Sequence, residues 1–115
     1  MYCVEPNFVA QGGDPNGDGS GSPGWRLKSE ISRRNHFRGT FAMARSQDPN
    51  SQGCQFYVCL SNNESVLSLS GKYVVAGRVI EGMDVADQLR VGDKIKTIRA
   101  ENLRDHEYTP ETLPE

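Results

Sequence analysis

Apolar residues in this chain come in short runs, separated by tracts of glycine, proline and polar residues, which predicts strands and loops more than long helices. The clearest run is Gln55 to Leu60. Its alternation puts Phe56, Val58 and Leu60 on one face and Gln55, Tyr57 and Cys59 on the other, with the Phe56 face as the natural core face. Val4 to Gln11 reads as a strand in which Pro6 and Asn7 suit an edge, a bend or a bulge. Trp25 to Ile31 reads as a short extended piece, Thr40 to Arg45 as a buried strand, Tyr73 to Ile80 as a strand rich in β-branched residues, and Lys94 to Ala100 as a final strand. One helix is predicted, late in the chain over Glu81 to Arg90: Met83, Ala86 and Leu89 share a face, and Arg90 and Gly92 supply stop signals. Without regular strand–helix alternation, the pattern favours mainly antiparallel β structure, a barrel or a sandwich.

The loops carry their own information. Residues 12–24 are dominated by Gly and Pro and exclude regular structure. Within them, Asp14-x-Asn16-x-Asp18-Gly19 matches the first half of a calcium loop, but the twelfth position, which should be a bidentate Glu, is Trp25. Ser46 to Gly53 is a polar loop with a turn at Asp48-Pro49-Asn50. Ser61 to Gly71 reads as a loop whose Val66, Leu67 and Leu69 must pack on something. At Phe8-Val9-Ala10-Gln11-Gly12-Gly13-Asp14 an apolar strand ends in a side-chain amide. Two readings stand there: a buried Gln satisfying nearby backbone groups, or an amide held beside an apolar floor to bind something.

Composition narrows the class. The 115 residues suffice for one domain, with 12 glycines and 36% hydrophobic residues pointing to a loop-rich fold. A net charge of -2 gives no overall bias toward nucleic acid or an anionic membrane. The basic run Arg26, Lys28, Arg33, Arg34 and Arg38 has no aromatic stacking set beside it and reads as a solvated face. No run is long enough to span a bilayer and no secretory signal opens the chain. Three cysteines without tight spacing argue against a disulfide framework, and Cys54 and Cys59 would fall on opposite faces of a strand, so a cytoplasmic setting is expected.

Conventional catalytic constellations are mostly missing, with a Cys–His nucleophilic pair as a minor alternative. His36 and His106 are far apart, and neither has a Cys or carboxylate at a metal-ligand spacing. There is no nucleophile elbow and no phosphate-binding loop. What remains is two strands that set an amide beside an apolar surface, at Val9/Gln11 and at Gln55/Tyr57. In their surroundings the chain resembles the cyclophilin family of peptidyl-prolyl isomerases. The resemblance is carried by Val4-Glu-Pro-Asn-Phe8-Val-Ala-Gln11-Gly-Gly-Asp14, by Met43-Ala44-Arg45 with Gly53-Cys-Gln55-Phe56-Tyr57, and by Leu69-Ser-Gly71-Lys-Tyr73-Val-Val-Ala-Gly77-Arg-Val-Ile-Glu-Gly82-Met83. Ala44-Arg45 and Asp48-Pro49-Asn50-Ser51 look more like bacterial members.

The resemblance implies a cyclophilin-like antiparallel β-barrel over residues 4–103 and a polar, flexible tail over 104–115. The barrel is expected to be incomplete, since the family's opening strands and first helix have no counterpart and the likeness stops at Val4. It implies isomerisation of X-Pro bonds in peptides and unfolded polypeptides, with no cofactor and no metal. By the same resemblance Phe8, Val9, Tyr57 and Leu69 would line a pocket for the proline ring and Gln11 would steady a catalytic donor. Ala44, Arg45 and Gln55 would hold the substrate backbone, and Tyr73 would border the groove. Gln11, Tyr57 and Phe8 are thus the expected catalytic set. The donor itself, an arginine in the family, is replaced by Cys3 behind Met1 and Tyr2, which implies reduced activity or, as the alternative, a proline-peptide binding module with little or no catalysis. Open barrel edges would call for a partner segment or self-association.

Overall fold

Two apolar segments that are distant in sequence pair to make the centre of the fold. In a computed structural model describing residues 1–105 and 111–114, the second strand, β2 (Val9–Gly12), lies antiparallel to β5 (Phe56–Cys59), with Val9 opposite Cys59 and Gln11 opposite Tyr57. β1 (Cys3–Glu5) pairs with the other edge of β2, and β4 (Thr40–Met43) pairs with the other edge of β5. β6 (Val75–Arg78) adds to β4 across an irregularity between Phe41 and Ala42, giving an antiparallel sheet of order β1-β2-β5-β4-β6. A separate ribbon joins β3 (Trp25–Arg26) to β7 (Leu113–Pro114).

The stretch expected as one strand over Val4–Gln11 is a hairpin. Pro6, Asn7 and Phe8 form its turn, with Asn7 at φ 61, so the residues read as marking a bend reverse the chain altogether. The segment expected as a loop at Ser61–Gly71 contains a short helix, α1 (Glu64–Leu67). Asn63 caps it, its Oδ1 accepting from the Val66 N–H at 3.1 Å, and the helix exists to deliver Val66 fully into the core. The late helix is shorter than its pattern suggested: α2 (Met83–Ala86) makes one turn, extended by turn bonds from Gln88 to Val85 and from Leu89 to Ala86. Its phase was legible, because Met83, Ala86 and Leu89 are the less exposed positions. Arg38 ties this helix to the sheet through a bidentate pair with Asp87 (2.7 and 2.6 Å) and a bond to the Leu60 carbonyl. Lys94–Ala100 forms no strand. Its Ile95 and Ile98 are exposed, since β propensity without a neighbouring backbone makes no ladder. The expected tail falls partly on residues 106–110 and 115, and these, with His106, lie outside the described residues.

The core face of β5 is the opposite of the one expected. Tyr57 and Cys59 are buried, while Phe56 and Val58 are only half-buried, with Phe56 against Phe41 at 4.9 Å between ring centroids. The reason is what covers each face. α1 and the segment around His36 close over Tyr57 and Cys59, so Val9, Ala42, Ala44, Tyr57, Cys59 and Val66 form the hydrophobic cluster there. Among the described residues, Phe41 and Phe56 stay half-buried on the other face, where they pack chiefly on each other.

Gly13 shows how tightly the end of β2 is placed. Its φ of 90 is a left-handed conformation that favours glycine, and a Cβ there would collide with the Cys54 carbonyl oxygen and meet the Phe56 ring at 3.0 Å. Gly13→Ala should therefore destabilise the protein by about 1–3 kcal/mol from the backbone alone. The measurement is a urea titration, where the midpoint should drop by on the order of 1 M; an unchanged midpoint would mean that this turn relaxes freely.

Candidate functional site

Side chains directly opposite one another on antiparallel strands share a face. The registers therefore place Val9, Gln11, Tyr57 and Ala42 on one side of the sheet, the side the hydrophobic cluster occupies. Two of these are small or short, and Ala44 just beyond β4 is small as well, so the sheet is not filled to its surface. A cavity of about 150 Å³ results. The hairpin supplies Phe8, Val9 and Gln11, the end of β4 supplies Ala44 and Arg45, β5 supplies Tyr57, and the connection from α1 to β6 supplies Leu69 and Tyr73.

The back of this cavity is a stack of rings. Tyr73 meets Tyr57 edge-on, with centroids 5.9 Å apart, and the Arg45 guanidinium lies over the Tyr73 ring at 4.7 Å. Arg45 is held in that position by its own chain, donating to the Lys72 carbonyl from Nε (3.1 Å) and Nη2 (2.8 Å) and to the Ser46 carbonyl (2.8 Å). Behind Tyr57 sits His36, with no exposed surface, its Nε2 2.7 Å from the Tyr57 hydroxyl and the two rings stacked. Burial pushes the Tyr57 pKa up, so the phenol keeps its proton, and one hydrogen bond joins it to the imidazole in the direction that the imidazole tautomer sets. Burial also lowers the His36 pKa. Its Nδ1 is buried without a partner among the described residues. Burial pushes the Cys59 thiol to about 11, which makes it packing material and not a nucleophile.

Gln11 stands on the wall that the small cavity shares with a larger one of about 510 Å³, bordered by Tyr2, Trp25, Arg26, Ser51 and Gln55. Its Nε2 donates to the Tyr2 hydroxyl, and that hydroxyl donates to Gln55 Oε1 at 2.5 Å. Gln55 Nε2 is spent on the carbonyls of Gly19 (3.1 Å) and Gly21 (3.0 Å), pinning the glycine-rich loop to the sheet. The calcium-like motif in that loop has a folding use. Asp14 accepts the backbone N–H groups of Asn16, Asp18 and Gly19. Desolvation alone would raise the Asp14 pKa, but these bonds outweigh it and hold the carboxyl below its usual range. Among the described residues no cluster of three His, Cys, Asp or Glu side chains is arranged for a metal.

Of the residues singled out from sequence, Phe8, Val9, Gln11, Ala44, Arg45, Tyr57, Leu69 and Tyr73 line the small cavity together, and Gln55 lines the larger one beside it. Cys3 pairs with Gln11 across the ladder, is half-buried, and borders neither cavity. Sequence reasoning set His36 and Tyr2 aside. For His36 the sequence offered only a general signal: a tyrosine hydroxyl at a buried strand position needs a partner, and many side chains of this chain could supply one. Tyr2 was visible only through the β1–β2 pairing, which sequence reasoning read as a single strand.

Comparison with known proteins gives the family. The family described as cyclophilin type peptidyl-prolyl cis-trans isomerase/CLD matches residues 1–106. The chain is 36% identical over 101 residues to a peptidyl-prolyl cis-trans isomerase of Synechococcus elongatus, covering 86% of this chain and 67% of the relative. It is 37% identical over 102 residues to one of Helicobacter pylori, covering 85% of this chain and 60% of the relative. A crystal structure of a Cryptosporidium parvum cyclophilin type isomerase, obtained in the presence of the dipeptide Ala-Pro, superposes with a TM-score of 0.65 at 32% identity, over 75% of this chain and 58% of that one. The chain thus spans a little under or about two thirds of the relatives it matches.

The buried His36–Tyr57 pair predicts a pH dependence of stability. Because the folded-state pKa of His36 lies below the ordinary value of 6.5, the unfolded chain binds the proton more readily, and stability rises with pH across that window. Stability should be complete above about pH 6.5 and fall as pH drops below it toward the folded pKa, by no more than about 1.4 kcal/mol per pH unit for a single proton. Urea titrations between pH 7.5 and 5 check this as order-of-magnitude slopes; a slope equal in parent and His36→Gln would remove His36 as the cause.

Proposed function

The chain belongs to the cyclophilin family, and we propose that it is a peptidyl-prolyl cis-trans isomerase acting on X-Pro bonds in peptides and unfolded polypeptides. The observation that carries this reading is the small cavity with apolar Phe8, Val9 and Leu69 on its walls, Tyr57 at its back and the Gln11 amide on its rim. A cavity of about 150 Å³ with one apolar wall and a polar rim has room for one small ring, as a proline ring would require.

The chemistry asks little else of the site. Amide resonance sets the barrier to rotation at roughly 18–20 kcal/mol. Twisting the bond removes that resonance and leaves a pyramidal, more basic prolyl nitrogen. Walls that hold the ring while the amide is dried, with a hydrogen-bonding group at the rim, favour the twisted form over either planar one. No proton leaves the substrate, so a site whose His36 is buried behind Tyr57 and neutral is adequate.

A second reading has a specific observation in its favour. Cys3 stands where the family carries its donor arginine, and the Arg45 guanidinium is already given to main-chain carbonyls. A protein so equipped binds proline-containing segments while accelerating their isomerisation weakly, since removal of one preorganised donor costs about 10²–10³ in rate. The edges of β1 and β6 that face away from the sheet pair with no described strand, and a partner segment or a second copy would satisfy them. Three free thiols suit a reducing, cytoplasmic setting.

Exchange NMR on a short Ala-Pro peptide distinguishes the two readings. Acceleration by the parent protein that falls about 10²-fold in Gln11→Ala, with that variant still folded, supports the isomerase. Peptide binding without acceleration supports the binding module, and neither binding nor acceleration overturns both.

A further inference from the structure

Gln11 by itself would be a poorly defined element of a site. A primary amide on a two-carbon stem has several rotamers, and its oxygen and nitrogen can exchange places by a half-turn. The hydrogen bonds around it remove both freedoms, because they can run in one direction only. At the far end stand two carbonyls, Gly19 and Gly21, which can only accept, so Gln55 must present Nε2 to them and Oε1 to Tyr2. Tyr2 must then donate to Gln55 and accept from Gln11. Gln11 therefore presents its nitrogen to Tyr2 and turns its oxygen elsewhere. The ring of Tyr2 is anchored by its own backbone N–H, which donates to the Gln11 carbonyl at 3.1 Å.

We propose that Tyr2 is a positioning residue: its phenol clamps the Gln11 and Gln55 amides into one orientation, fixing Gln11 on the wall between the two cavities for the twisting X-Pro bond. This rests on the isomerase reading given above. The relay is neutral throughout, and burial raises the Tyr2 pKa above its ordinary value, so the phenol is protonated at neutral pH. The relay also couples the glycine-rich loop to the site, since the loop's carbonyls set the direction of every bond downstream.

The test is Tyr2→Phe, which keeps the ring and deletes the hydroxyl, with circular dichroism to establish that it folds. In exchange NMR on the Ala-Pro peptide, kcat should fall about 3- to 10-fold, the rate equivalent of one neutral hydrogen bond, while KM changes less than about twofold. In a ¹⁵N spectrum the Gln11 side-chain amide pair should move toward the position of a free amide, a change that loss of packing elsewhere would not produce. An accelerating parent with an equally fast Tyr2→Phe and an unmoved amide pair would overturn the clamp and leave the isomerase reading standing. No acceleration by the parent would overturn the isomerase reading, and with it the kinetic role of Tyr2. The clamp itself would then be decided by the amide pair, a shift supporting it and an unmoved pair overturning it.

Discussion

Because side chains alternate along a strand, the pairing of Gln11 with Tyr57 and of Val9 with Cys59 decides which residues of this chain can meet. A slip of one residue would send Ala10 and Gly12 to the covered face and turn Gln11 and Val9 away from it. The cavity, the ring stack behind it and the amide relay in front of it would all be lost together. The register has several independent locks. Gly13 permits the close approach to the Cys54 carbonyl at one end of the pair. At the other end the Leu60 N–H donates to the Phe8 carbonyl at 2.8 Å. Between them β5 is held on its far side by β4, so neither strand is free to slide.

That register also explains why polar side chains are buried at the site without a net charge. Tyr57 faces the cluster because Gln11 does, and its hydroxyl then has to be satisfied away from water. His36 does this from below at 2.7 Å, and Ser70 Oγ in turn accepts the His36 backbone N–H at 2.8 Å. A charged partner would have carried a desolvation cost of several kcal/mol, whereas the neutral pair leaves only the His36 Nδ1 unpartnered. The cationic group near the cavity, Arg45, keeps to the rim, where its guanidinium is partly in water and stacked on Tyr73.

Val9, Gln11, Gln55 and Tyr57 were legible in the sequence pattern because two signals are local, an amide ending an apolar strand and an amide–aromatic alternation in another, whereas Phe8, Ala44, Arg45, Leu69 and Tyr73 were reached only through the family resemblance. The strands containing Ala42 and Tyr57 were legible for the same reason. The face of β5 was not. Alternation identifies two faces but cannot say which one another segment will cover, and here Val66 and His36 arrive from segments with no periodicity of their own. The hairpin was missed because Pro6-Asn7 is compatible with a bend or a reversal, and only the partner strand distinguishes them. Lys94–Ala100 failed in the opposite sense: its composition suits a strand, but strand formation is a property of two segments and not of one.

The relation between the amide relay and the ring stack determines how the site can act. The ring stack presents mainly aromatic surface, and under the isomerase reading it would tell the cis and trans forms of a bound bond apart chiefly by shape. Any selective stabilisation of a twisted bond has to come from polar groups whose direction is set beforehand, because an amide that must reorient during the reaction spends part of its interaction energy on doing so. In this chain that direction is set by the carbonyls of Gly19 and Gly21, transmitted through Gln55 and Tyr2 to Gln11. Those carbonyls are in turn placed by a loop folded around Asp14. The stretch whose spacing resembles half of a calcium site thus contributes to the site through the backbone it shapes, and the glycines that exclude regular structure there are what let its carbonyls reach the Gln55 amide.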